Sequence, residues 1–156
     1  MEDKRITKTK RALKSALLEL LTTQAFDVIS ITELCKIANV SRITFYTHYK
    51  DKFALLDDIF NDMLIIGKEG YHRRQEENNP ENNLTQGYLN VLDSILSLYY
   101  ERYDFFQHVV PETNPYLAFR FYRILLDTVE SHTDKLKASY SLKYSARQIA
   151  GFICFA

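Results

Sequence analysis

The stretch "SITELCKIANVSRITFYTHYKDK", residues 30–52, constrains the fold more than any other part of the sequence. Ser30 followed three residues later by Glu33 is a capping box, which predicts a short helix that begins at Ile31. Ser41 is a suitable cap for a second helix over residues 41–49. Because so few residues separate the two helices, the chain must turn sharply between them.

The turn between these helices falls on Asn39 and Val40. Such a short link needs one residue in the left-handed region of backbone space, and asparagine adopts that conformation at a lower cost than most residues with a side chain. Val40 is then expected to fill the gap between the helices, and Cys35 is small where they approach. A small residue, a turn, an apolar plug and a cap are typical of a helix-turn-helix.

The second helix is expected to have one buried and one exposed face. Phe45 and Tyr49, four residues apart, are predicted to pack inward. The side chains expected to point away from the core are Arg42, Thr44 and His48, with Tyr46 at the border. An arginine at the start of such a helix suits the acceptors of guanine in a major groove, and a threonine can contact a thymine methyl group. Tyr46 and His48 offer donors to backbone oxygens of DNA.

The third helical start in this region is predicted at Asp51 and Lys52. Asp51 is expected to cap the helix that follows. Lys52, in the first turn, would lie beside the unpaired amide groups of that helix. This arrangement favours binding of a phosphate group.

The formal net charge of zero conceals an uneven distribution. Residues 1–52 contain 10 Lys/Arg and 6 Asp/Glu, a net charge of +4, whereas residues 53–156 contain 10 and 14, a net charge of −4. The segment "KRITKTKRALK", residues 4–14, has six basic residues and no acidic one, which favours contact with a polyanion. A solvated N-terminal arm is the alternative interpretation of this segment.

The remaining sequence predicts an all-α protein. Gly and Pro are few, and a helical repeat of apolar residues recurs along the chain. The first helix is expected to begin at a cap formed by Thr7 or Thr9, and the polar segment "KEGYHRRQEENNPENN", residues 68–83, is predicted to be a loop. The many Tyr and Phe residues after position 87 suit either core packing or the wall of an effector cavity.

The segments "KTKRALKSALLELL" and "ITELCKIANVSRITFYTHYKDKFALL" together resemble the DNA-binding domain of TetR-family transcriptional regulators. The pattern TFYxHYxDK is similar to a branch of that family that includes the regulators of dihydroxyacetone kinase operons. One departure is Ala25, which stands where the family usually has a glycine after the first helix. The resemblance implies a three-helix DNA-binding domain with a helix-turn-helix, residues 1–52, and a C-terminal helical domain for effector binding and dimerisation, residues 53–156.

The resemblance also implies which residues meet DNA. Residues at the positions of Thr32, Tyr46 and Lys52 typically contact the DNA backbone in that family, and those at the positions of Arg42 and Thr44 commonly face bases. The full set of expected DNA-binding residues is Thr32, Ser41, Arg42, Thr44, Tyr46, His48 and Lys52. The expected partner is double-stranded operator DNA with a palindromic sequence.

The C-terminal domain is expected to support a homodimer. In the TetR family the last two helices of each subunit form the dimer interface, and "ARQIAGFICFA" supplies only one such helix, so the domain looks truncated. The expected function is repression that an effector relieves. A regulator controlled by a protein coactivator instead of a small molecule is the alternative, and no effector-binding residue is assigned.

The sequence argues against other classes of protein. No nucleophile and base pair, paired carboxylates, phosphate-binding glycine loop or metal-ligand spacing is found, so an enzyme is disfavoured and neither a cofactor nor a metal is expected. Cys35 and Cys154 are far apart in apolar patterns and are expected to be buried thiols. Without a signal peptide or a long apolar segment, the sequence predicts a cytoplasmic protein that does not bind membranes.

Overall fold

The structure is a computed structural model that describes residues 4–137, 141 and 143–155. In these residues the secondary structure is helical throughout, which confirms the predicted all-α class. The chain divides into two compact units, Met1–Asp62 and Met63–Ala156. Within the part described, no helix is both long enough and apolar enough to cross a bilayer.

The N-terminal unit contains three complete helices and the start of a fourth. The helices are α1 (Lys4–Leu21), α2 (Ile31–Ile37), α3 (Arg42–His48) and the first part of α4 (Lys52–Asn78), with a 3-10 turn at Phe26–Val28. The apolar face of α1 is buried as its spacing predicts. The largest fully buried side chains of this unit are Leu13, Leu17, Phe26, Ile29, Leu34, Phe45, Leu55 and Leu56. These residues join all four helices and the 3-10 turn in one core.

The start of α1 differs from the expectation. The chain is already helical at Lys4, so Thr7 and Thr9 lie inside the helix and cap nothing. The hydroxyl of Thr9 donates to the carbonyl of Arg5 at 3.0 Å. A threonine inside a helix can bond to the carbonyl four residues earlier, and for this reason it is a weak marker of a helix start.

The helix-turn-helix forms as its local sequence predicts. Ser30 and Glu33 make both hydrogen bonds of the capping box, and the bond from the Ser30 hydroxyl, followed by that from its backbone amide, lowers the pKa of Glu33. Asn39 has the left-handed backbone, with φ 53°, and Ser41 accepts a hydrogen bond from the amide of Thr44 at 3.0 Å. Cys35 is buried and free, whereas the side chain of Cys154 lies outside the described residues.

The C-terminal unit contains the rest of α4 and four further helices among its described residues. These are α5 (Leu84–Glu101), α6 (Tyr103–Phe106), α7 (Pro115–Lys137) and α8 (Ala146–Phe155). The loop predicted at residues 68–83 is wrong, because α4 continues to Asn78. Lys, Glu, Arg and Gln in this segment are good helix formers, and the helix ends only where Asn79 and Pro80 follow.

Three of the phenylalanine residues form part of the core of the C-terminal unit. Phe105, Phe106 and Phe121 are buried. The ring of Phe106 lies 5.4 Å from that of Tyr99 and 4.7 Å from that of Phe121, distances typical of packed aromatic pairs. Of the two roles that the sequence left open, core packing applies to these side chains.

Candidate nucleic-acid interface

The outward face of α3 differs from the one expected. Ile43 is 80% exposed and Tyr46 is 49% exposed, and Arg42 and Thr47 are exposed beside them. Tyr46 therefore lies on the exposed face instead of at its border. Thr44 and His48, which were expected to point outward, are half-buried at the edge of the helix.

The geometry of a helix explains this correction. Phe45 and Tyr49 are buried, and successive residues of a helix are rotated by roughly 100°. Ile43 and Thr47 are therefore nearly opposite the buried pair. Ile43 has no hydrogen-bonding group, so its residue type gives no sign of contact with DNA. Its position on the helix, nearly opposite Phe45, is the signal in the sequence that it is exposed. An exposed isoleucine can contact the methyl group of thymine.

The threonine hydroxyl groups of α3 and the hydroxyl group of its cap make hydrogen bonds within the helix. The side-chain oxygens of Ser41 and Thr44 are 2.8 Å apart, and the Thr47 hydroxyl donates to the Thr44 carbonyl at 2.7 Å. Ser41 is exposed, as is Thr32 near the start of α2. Ser41 and Thr32 are thus accessible to a ligand, whereas Thr44 is only partly so.

Lys52, expected to contact a DNA phosphate, makes three hydrogen bonds within the protein. Its ammonium group donates to the carbonyl oxygens of Phe26, Asp27 and Ile29 at 2.9, 2.7 and 2.9 Å. The same group lies 4.9 Å from the centre of the Phe26 ring. Because an ammonium group has three protons, these bonds use all of its donors. In this arrangement no donor of Lys52 points to a phosphate, and its contact with DNA stays a prediction.

Lys52 instead fixes the connection between α1 and α2. The three carbonyls that it binds belong to the 3-10 turn and to the residue after it. Burial lowers the pKa of Lys52, and the negative charge of Asp27 partly opposes that effect. Ala25 precedes this turn with φ −66° and ψ 148°, which any residue adopts easily. Glycine is consequently not needed at position 25, and its replacement by alanine does not disturb the fold.

A carboxylate on α4 links α4 to α1 and α3. Asp58 accepts a hydrogen bond from the Tyr49 hydroxyl at 2.6 Å and pairs with the Lys14 ammonium at 3.1 Å. Burial alone would raise the pKa of Asp58, but the hydrogen bonds from Tyr49 and Lys14 outweigh burial and lower it. Tyr49 directly follows α3, so Asp58 holds the C-terminal end of α3 in place.

The lowered pKa of Asp58 predicts a loss of stability in acid. A carboxylate whose pKa is lower in the folded state stabilises the protein fully above its unfolded pKa, about 4, and that contribution is lost as the pH falls through the folded pKa. As the pH falls below about 4, we expect the free energy of unfolding of Asp58→Asn to decrease less than that of the parent protein. Urea titrations of both proteins from neutral to acidic pH measure this; identical pH profiles would contradict it. Glu19→Gln, at an exposed carboxylate of α1, is the control.

The start of α1 carries a cluster of basic side chains. Lys4, Arg5, Lys8 and Arg11 are exposed, and the first turn has no acidic residue. The N-terminus of a helix has a partial positive charge, so a cation in its first turn, such as Lys4 or Arg5, costs about 0.3 to 1 kcal/mol at low ionic strength. The helix dipole therefore does not favour Lys4 and Arg5 at this end of α1. A nearby polyanion would turn the same charges into a favourable interaction.

Comparison with known proteins gives a partial relative and solved structures with a similar fold. No family model matches the sequence. Over 58 residues the chain is 40% identical to the uncharacterized HTH-type transcriptional regulator YxbF of Bacillus subtilis (strain 168), a match that covers 37% of this chain and 14% of that protein. The solved structure of the dihydroxyacetone kinase operon activator DhaS is similar with a TM-score of 0.55 and 21% identity, over 94% of this chain and 80% of that one.

These similarities agree with the architecture described above. YxbF is named as an HTH-type regulator and DhaS as an operon activator, and neither name is that of an enzyme. The chain therefore has an all-α fold in which a helix-turn-helix unit precedes a second helical unit.

Proposed function

We propose that the chain is a DNA-binding transcriptional regulator of the TetR type and that it represses transcription until an effector binds. The observation that carries this proposal is the exposed face of α3. Its side chains are those of Arg42, Ile43, Tyr46 and Thr47, and all four are exposed. A helix-turn-helix with such a face matches the geometry of a recognition helix in a major groove. The partial similarity to YxbF, named as an HTH-type transcriptional regulator, supports the same function.

The contacts with DNA are proposed from exposure and chemistry. Arg42 binds the acceptors of guanine, and Ile43 packs against a thymine methyl group. Phosphate contacts come from Thr32, Ser41 and Tyr46, together with the basic side chains at the start of α1. Thr44 and His48 have a smaller part because both are half-buried. Lys52 is no longer included in this set.

The proposed domains are residues 1–52 for DNA binding and residues 53–156 for effector binding and dimerisation. A single helix-turn-helix reads one half-site, so a homodimer on a palindromic operator is proposed. An effector that prefers one conformation of the dimer would change the spacing of the two recognition helices. α4 would transmit this change, since it contains residues of both units.

The proposal predicts a footprint with two-fold symmetry. On DNA from upstream of its own gene and its neighbours, the protein is expected to protect an inverted repeat whose half-sites lie about 10 base pairs apart, or a multiple of that distance. DNase I footprinting at low salt measures this, with a scrambled repeat as the control DNA. Equal protection of all sequences, or none at low ionic strength, would contradict the proposed function.

Control by a protein coactivator is the second candidate. Leu89, Leu96 and Tyr100 on α5 are 50%, 49% and 76% exposed, a row of apolar side chains that a protein partner could cover. If a protein partner controls the chain, Leu96→Lys is expected to abolish regulation in cells while operator affinity in vitro stays unchanged. If a small molecule does, the same variant is expected to respond like the parent.

A further inference from the structure

The C-terminal unit contains a small cavity that the sequence did not reveal. Its volume is about 210 Å³, less than the roughly 300 to 1,000 Å³ typical of sites for drug-sized ligands. At about 30 Å³ per water molecule it has room for about seven waters, or for a metabolite of similar bulk. The side chains and backbone that line it belong to Tyr71, Gln75, Asn82, Asn83, Leu84, Gly87, Tyr88, His132 and Lys135.

The orientation of one amide in the wall is fixed by neighbouring asparagines. The side-chain oxygen of Gln75 accepts hydrogen bonds from the amide groups of Asn79 at 3.1 Å and Asn90 at 2.6 Å. Asn90 is buried and also donates to the Asn78 side chain at 2.8 Å, which holds it in this position. Because the oxygen of Gln75 is occupied, its NH₂ group is the part that can bind a ligand. Gln75 is therefore a donor in this cavity.

Two further side chains add donors or positive charge. The hydroxyl oxygen of Tyr88 is buried and has no hydrogen-bond partner among the described residues. Buried hydroxyl groups normally have a partner, so an unpaired one in a cavity wall indicates a place for an acceptor. Lys135 is exposed and positively charged, and the lining residues that the structure describes include no Asp or Glu.

His132 contributes a ring nitrogen to the same wall. Its Nδ1 lies 2.9 Å from the carbonyl oxygen of Thr128 and 3.0 Å from the hydroxyl oxygen of Ser131. The ring is held edge-on against Tyr71, with 5.5 Å between the ring centres. The contacts with Thr128 and Ser131 are both made by Nδ1, so Nε2 is the nitrogen left for a ligand.

Gly87 keeps this cavity open. Among the described residues no glycine has a positive φ, so the backbone does not require glycine here. A Cβ atom at position 87 would lie 3.5 Å from the Asn79 amide nitrogen and 3.7 Å from that of Gln75, ordinary contact distances. Alanine would favour the helix more than glycine does. The lack of a side chain at Gly87 therefore leaves this part of the cavity unfilled.

We propose that this cavity binds a small oxyanion, a carboxylate or phosphate compound of a few carbon atoms. The oxyanion accepts hydrogen bonds from Tyr88 and Gln75 and pairs with Lys135. The walls of Tyr71 and Leu84 limit the size of its carbon part. Binding itself is independent of DNA, and only the consequence that the oxyanion acts as the effector rests on the proposed function.

Calorimetry on the full chain tests the binding. The probes are lactate and succinate for carboxylates, glycerol 3-phosphate and inorganic phosphate for phosphates, and lactamide as the uncharged analogue of lactate. At least one oxyanion is expected to bind with a dissociation constant on the order of 1 mM or lower, and lactamide is expected not to bind. The probe that binds identifies the group as carboxylate or phosphate. Binding of lactamide as tight as that of lactate, or of no oxyanion, would overturn the proposal.

Substitutions in the wall locate the site. Lys135→Gln is expected to weaken binding at least about tenfold, whereas Arg147→Gln, which removes an exposed charge from α8, is expected to have no effect. Gly87→Leu is expected to fill the cavity and abolish binding; Gly87→Ala is the milder variant if the former does not fold, as judged by circular dichroism. If both Lys135→Gln and the folded Gly87 variant bound the oxyanion like the parent, this cavity would not be the binding site.

Tyr88→Phe gives a sharper result because its two effects have opposite signs. Removing an unpaired buried hydroxyl is expected to leave the melting temperature of the free protein unchanged or higher, while binding of the oxyanion weakens. A purely structural role would lower the melting temperature instead, which would count against the site.

Operator affinity with and without the oxyanion then separates the proposed binding site from the proposed regulation of DNA binding. Binding without any effect on DNA affinity keeps the site and refutes the proposed regulation by it.

Discussion

Arg42→Ala is expected to lower the affinity for operator DNA by about 10- to 100-fold and to relax the preference for one base pair in each half-site. Arg42 is exposed at the first position of α3, where side chains of a recognition helix reach base edges. A bidentate contact with guanine is worth about 1 to 3 kcal/mol of discrimination, and alanine loses all of it. In a dimer the loss occurs twice, and two losses at the low end, about 1 kcal/mol each, already weaken binding roughly 30-fold.

Fluorescence anisotropy with the operator and with a variant operator, mutated at the contacted guanine, measures this loss. The parent should distinguish the two DNAs, and Arg42→Ala should bind both with similar affinity. Arg123→Ala removes an exposed arginine from α7 and is the matched control. If Arg42→Ala still discriminated like the parent, Arg42 would not read a base, and the assignment of α3 as the recognition helix would be wrong.

The parts of the fold that could be predicted from the sequence are those set by neighbouring residues. The capping box of Ser30 and Glu33 and the left-handed Asn39 involve only a few successive residues, and each forms as expected. The same holds for Asp51, which accepts a hydrogen bond from the amide of Ala54 at 2.8 Å. These hydrogen bonds join residues three positions apart, so the spacing of the residue types along the chain fixes the geometry of the cap. Such spacings can be recognised in the sequence.

The features of the candidate site that the sequence did not indicate depend on more distant contacts or on apolar side chains. The three acceptors of Lys52 are 23 to 26 residues away, so nothing beside it in the sequence indicates them. Ile43 offers no hydrogen bond and was left out, although the exposed face of a recognition helix also uses apolar contacts. The cavity in the C-terminal unit combines residues from α4, α5 and α7, and no local pattern connects them.

Lys52→Met is expected to lower the free energy of unfolding of the N-terminal unit by about 3 kcal/mol. Methionine retains most of the apolar stem, but the carbonyls of Phe26, Asp27 and Ile29 lose their common donor. Hydrogen bonds to a charged group are worth about 1.5 to 3 kcal/mol each, and three that share one ammonium group are not additive. Hydrogen–deuterium exchange should show faster exchange in residues 24–34, next to these carbonyls, and Lys50→Met, at an exposed lysine, should leave both measurements unchanged.

The same variant separates a structural role of Lys52 from a contact with DNA. A lysine that neutralises one phosphate contributes about 0.9 to the slope of the logarithm of affinity against the logarithm of salt concentration. Because the ammonium group of Lys52 is fully used within the protein, we expect the slope to stay unchanged when binding is measured at a temperature where the variant is folded. A parent-like free energy of unfolding together with a smaller slope would show instead that Lys52 leaves these carbonyls and binds a phosphate.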